Sequence, residues 1–184
     1  GIVFEESAQL DIGGSFIGST AEHLVFEDGT IFSAIAPAAP LLTISTPTGL
    51  QLGAASQAID INNNGYDFLP VSFAVSLVDS ASGLQLKTGN TLALVSSSIH
   101  LNGGVLAAPA GRVELGSVQQ GLVSLNTGTR NPHPWTLGYD DVQNFGDIEL
   151  SAQSLLNASD RLFLAPNPLS VGTDGTYGGS IALH

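Results

Sequence analysis

The chain has 184 residues, enough for one domain with a sizeable core. Charged residues make up only 11%, against a usual share of about 25%, and 16 acids outnumber 4 cations for a net charge of −12. Phosphate backbones are bound by clustered Lys and Arg, whereas Lys87, Arg112, Arg130 and Arg161 stand singly; nucleic acid is excluded as a partner and an anionic membrane surface is disfavoured.

With apolar residues at 43% and so few charges, the polar surface must come from Ser, Thr, Asn, Gln and Gly. That suits a stacked β-structure, where neutral side chains ladder along a face without like-charge repulsion. There is no cysteine, which excludes a disulfide scaffold and a thiolate metal centre. No apolar stretch reaches the roughly 18 residues of a membrane helix, so the chain is expected not to be membrane-embedded. The opening GIVFEESAQL has no basic region followed by an apolar core, so an export signal is expected to lie outside this chain.

In chain order, residues 8–12 alternate apolar and polar, Gly13-Gly14 turns, and strands are predicted at 15–17 and 23–26. Glu27-Asp28-Gly29-Thr30 is a turn signal leading back into a strand at 30–33. Pro37, Pro40 and Pro47 bound a strand at 41–44, and further strands begin at Leu50 and Ala58. Residues 62–83 break the rhythm and read as an irregular excursion.

The rhythm is clearest over residues 87–117. Strand patterns at 91–95, 99–101, 105–107 and 113–115 are separated by Ser-Ser-Ser, Asn-Gly-Gly and Ala-Pro-Ala-Gly. These intervals are too short for helices of the usual length, about 11–12 residues. The rhythm continues through Leu125. Residues 126–145 form a second irregular excursion, whose large Trp135, Tyr139 and Phe145 would cover the coil or fill a corner. Short strands return at 148–150, 155–156, 162–164 and 180–183. Gly-Gly precedes a strand at 13–14, 103–104 and 178–179. The whole is read as one all-β domain over 1–184, a parallel β-helix with two excursions, in which each turn buries its apolar face by stacking on the next.

No reaction is spelled out. His23, His100, His133 and His184 lack metal-ligand spacing and read as surface or turn residues. The acid pairs Glu5-Glu6, Glu27-Asp28 and Asp140-Asp141 read as turn and surface acids, not as glycosidase carboxylates. The expectation is no catalytic residue, no metal and no cofactor.

The segments GGSFIGST at 13–20, FEDGTIFS at 26–33, GNTLALV at 89–95, LAAPAGRVELGSV at 106–118 and GYDDVQNF at 138–145 resemble, in this order, the filamentous haemagglutinin-type secretion domain, closest to its cyanobacterial branch. The resemblance implies the N-terminal module of a large exoprotein of a Gram-negative two-partner secretion system, folded as a right-handed parallel β-helix. It implies recognition in the periplasm by the POTRA domains of a dedicated outer-membrane β-barrel transporter, passage in the unfolded state, and a secreted or cell-surface destination. Many members are adhesins, which points to a host or surface glycan as a further partner. The family's Asn-Pro-Asn-Gly-Ile motif is present only as Gly1-Ile2, the remnant assigned to transporter recognition; the chain is therefore expected to be the later part of the domain. The alternatives are a carbohydrate-active β-helix enzyme, which would need a groove lined by two acids and a base, and a glycan-binding stalk using Trp135 and Tyr139.

Overall fold

The computed structural model describes residues 1–36, 45–65, 70–71, 74–75, 83–126, 135–159 and 179–184. The strands expected at 41–44 and 162–164, most of 62–83 and the first part of the second excursion lie outside the described residues, as do Arg130, His133 and Arg161. Among the described residues the regular structure is all strand, with no helix.

Three sets of strands stack in parallel. One set joins β1 (Ile2–Phe4), β6 (Ile59–Asn62), β11 (Ile99–Asn102) and β15 (Ile148–Ser151). A second joins β2 (Phe16–Ser19), β10 (Thr91–Ser96), the first part of β13 (Arg112–Asn126) and β17 (Ser180–Leu183). A third joins β9 (Leu84–Gln85), β12 (Val105–Ala107) and β16 (Leu155–Asn157). From β10 the chain visits β11 and β12, then returns at β13 to lie beside β10, with Thr91 opposite Arg112. The four strand patterns read between residues 91 and 115 are these four strands.

The turns between them need glycine. Gly103 has φ +69, and a Cβ there would stand 2.0 Å from the carbonyl oxygen of Asn63 on the neighbouring rung. Inside, Ile59, Ile61, Leu92, Leu94, Ile99, Leu101, Leu106, Val113 and Leu115 form the main core. Each contributes the inward position of its strand and stacks on its counterpart one rung away.

A second, antiparallel layer lies against these three parallel stacks. β3 (His23–Phe26) pairs with β4 (Ile31–Ser33) through the turn predicted at 27–30, where Asp28 Oδ1 accepts from the Thr30 amide at 3.0 Å. β3 also pairs with β5 (Pro47–Leu52), β5 with the later part of β13, and that part with β14 (Thr136–Phe145). Leu50, Leu52, Val95, Val118, Val123 and Leu125 form a second core here, with Trp135, Leu137, Tyr139 and Val142 packed on it. The continuous apolar run at 92–95 follows from this arrangement: Leu92 and Leu94 face the first core, Val95 the second, so both faces of β10 are covered. A small antiparallel pair, β7 (Pro70–Val71) with β8 (Ala74–Val75), completes the described strands.

The structure differs from the reading in three places. Residues 8–12 pair with no strand; Ala8, Leu10 and Ile12 still alternate inward onto the main core. Residues 50–52 and 121–125 belong to the antiparallel layer and not to further rungs, so the sheets are mixed. Residues 136–145, expected to be irregular, form a ten-residue strand. Alternation reports that a segment is extended and half-buried; it carries no information on the direction of its partner.

Candidate functional site

Two polar features sit where the antiparallel layer meets the coil. The first surrounds Glu114. In β13, Val113 and Leu115 point into the main core, so Glu114 points out. It would be a surface acid on a bare coil, yet it is 0% exposed because β14 passes over it. Arg112, two residues earlier on the same face, donates from Nε to Glu114 Oε2 at 2.6 Å and from Nη1 to Ser180 Oγ on the adjoining rung at 3.2 Å. His184 Nε2 stands 3.8 Å from Glu114 Oε1, and the His184 ring stacks on Tyr139 with centroids 4.1 Å apart.

Tyr139 reaches this spot because residue 116 is glycine: a Cβ there would lie 2.5 Å from the phenol oxygen. Burial, and then the charge and hydrogen-bonding pull of the Glu114 carboxylate, hold the phenol's pKa well above its ordinary value, with Arg112 opposing. The hydroxyl therefore stays protonated and available as a donor. Neither it nor Glu114 Oε1 makes a well-aligned hydrogen bond, so the cluster holds unsatisfied polar capacity. Its charges are matched, which marks it as a structural pair joining coil, cover and last described rung.

The second feature is an open groove of about 810 Å³ at the seam between coil and cover. Glu22 and His23 enter it from the start of β3, Gln51 from β5, Ser98 and His100 from the coil, Gln119 from β13 and Asp147 from the turn before β15. His100 Nδ1 bonds Asp60 Oδ1 on the adjacent rung at 2.8 Å, which fixes the ring. Glu22 Oε1 accepts from the Ala55 amide at 2.6 Å, and Gln51 Nε2 donates to the carbonyls of Leu52 and Gly121, both at 3.1 Å. Glu22 and His23, neighbours in the chain, both line the groove, because the strand begins only at His23. Among the described residues no three His, Cys, Asp or Glu side chains converge as a metal site.

Gly1 and Ile2 lie apart from both features. The Gly1 nitrogen bonds Gln57 Oε1, the Ile2 amide donates to the Ala58 carbonyl at 3.1 Å, and Ile2 stands opposite Ile59 on the outermost described rung of its stack, packed on the main core. Trp135 is half-buried against the second core, and its carbonyl accepts from the Thr91 hydroxyl at 3.3 Å. No helix among the described residues is long and apolar enough to cross a membrane.

Comparison with known families gives one match: the family model described as the TPS secretion domain covers residues 1–182. No curated protein and no solved structure matches the chain.

Proposed function

This chain belongs to the TPS secretion domain family, the secretion module of exported two-partner-secretion proteins, and from that premise we propose that a dedicated outer-membrane β-barrel transporter recognises it through periplasmic POTRA domains. The destination is the cell exterior or surface, and the exoprotein that carries the module acts as an adhesin. The module itself performs no chemistry.

The observation that carries the reading is the family match along 1–182, together with three parallel stacks visited in turn. We take these stacks as the faces of a right-handed parallel β-helix, with the antiparallel layer and the segments 62–83 and 126–145 as excursions from it. Such a coil suits export: each rung completed outside buries aliphatic surface and cannot slide back through a pore. A chain without cysteine forms no cross-link on the way. To Gly1 and Ile2 we assign the end of the transporter-recognition motif; their strand pairs only with β6 among the described residues, which leaves its other edge for upstream chain.

The test is retention of the chain, extended upstream through the Asn-Pro-Asn residues, on the immobilised periplasmic part of its transporter. Retention lost on removing that extension and Gly1-Ile2 is expected. No retention of the extended chain refutes recognition. The enzyme alternative asks for two acids and a base in one groove, and Glu22, Asp147, His23 and His100 share one. Glu22, however, is tied to the Ala55 amide. Absence of turnover on neutral and acidic glycans removes that alternative.

A further inference from the structure

The groove at the seam has no part in the transporter reading, and its lining is specific enough to say what it holds. We propose that it is a binding site for a neutral, hydroxyl-rich glycan chain, independent of secretion.

The charge of the lining excludes one class of ligand. Glu22 and Asp147 line the groove and no described cation does; Arg112 is held by Glu114. A uronate or sulfated polymer meets repulsion and finds no pairing partner there. The lining is equally poor in apolar anchors, since its Leu52 is only 1% exposed. Peptide grooves work through such anchors or through a free sheet edge.

What remains is hydrogen-bonding capacity of mixed sense. Gln51 has both its backbone bonds made by Nε2, so the side chain is fixed with Oε1 left as an acceptor. His100, held to Asp60 through Nδ1, has Nε2 left for a further hydrogen bond. Gln119 and Ser98 have no side-chain partner and offer both donors and acceptors. Asp147 adds carboxylate acceptors, which take two hydroxyl protons from a vicinal diol. A sugar ring presents this complement: every hydroxyl donates once and accepts from others. The volume lies inside the range of about 300–1,000 Å³ common to ligand sites, and the open shape admits an internal segment of a chain. No described Phe, Tyr or Trp ring lines the groove, so binding is weak for one site and strengthens when many copies engage one polymer.

The experiment is saturation-transfer NMR and titration of the folded chain with neutral gluco-, manno- and galacto-oligosaccharides, with an oligouronate alongside. Gln119→Ala and Asp147→Ala, both exposed positions, are compared with Asp140→Ala outside the groove. At least one neutral series is expected to bind and the oligouronate not to. Each groove variant should weaken binding by about tenfold, the loss expected for a hydrogen bond to a charged or well-placed group, and the control should not change it. The proposal is overturned if no neutral oligosaccharide shows transfer, if the oligouronate binds as well, or if the groove variants bind like the control. It is also overturned if Gln119→Ala leaves sugar binding intact and abolishes retention on the transporter, which would make the groove a protein-docking site.

Discussion

Replacing Glu114 with leucine removes a fully buried carboxylate and leaves the Arg112 guanidinium and the Tyr139 hydroxyl facing an apolar side chain. Leucine fills nearly the same volume, so packing changes little and the effect is electrostatic. Arg112 is mostly buried, with its side chain 20% exposed, and its Nε loses a 2.6 Å partner. Breaking one side of such a pair costs about 3–5 kcal/mol. For a domain of this length each kcal/mol lowers Tm by roughly 2–4 °C, so a drop on the order of 6–20 °C is expected. The triple variant Glu114→Leu, Arg112→Met, Tyr139→Phe leaves no charge and no hydroxyl to satisfy, and should recover most of that loss. Urea unfolding followed by the fluorescence of Trp135, the sole tryptophan, measures both. Two results refute the account: a single variant within about 1 kcal/mol of the parent, as a surface pair would give, or a triple variant no more stable than the single.

Leu94→Ala opens a cavity in the centre of the main core, and urea unfolding should show a loss of about 2–5 kcal/mol. Gly103→Ala forces a Cβ onto the Asn63 carbonyl at a positive φ, so it should cost more than about 1 kcal/mol by the same assay, beyond the effect of Ala at an open turn. The raised pKa of Tyr139 stabilises the fold in full below the ordinary phenol value of about 10 and less as pH climbs above it. Stability should therefore fall in alkali, and Tyr139→Phe should flatten that fall; equal slopes in Tm against pH for the two proteins would contradict it.

The short strands of the parallel stacks were legible because their signals are local. The glycines at 103–104 and the runs around Leu92, Ile99, Leu106 and Val113 lie within one circuit of chain, and each turn residue marks its own boundary. The cover was not legible for the same reason. Nothing between Ser117 and Gln120 signals that β13 leaves the parallel stack for an antiparallel one; the strand simply continues. The burial of Glu114 has no local signal because it depends on Tyr139, which reaches it from another strand. Gly116 was the one available hint, a missing side chain in mid-strand where a neighbour comes close. The groove draws on separate segments around residues 22, 51, 98, 119 and 147, none of which carries a motif. Assembly of that kind depends on tertiary proximity and has no footprint in spacing.

The pairing of β2 with β10 has a kinetic consequence. Phe16 lies opposite Leu92, and the intervening chain includes β3, β4, β5 and β6, which must find their own places first or be looped out. Contacts so distant along the chain have to be closed at an entropic cost before they stabilise anything, and folds dominated by them form slowly. On the proposed export route that delay would be useful: the ladder joining β2 to β10 cannot assemble until a long length of chain is available.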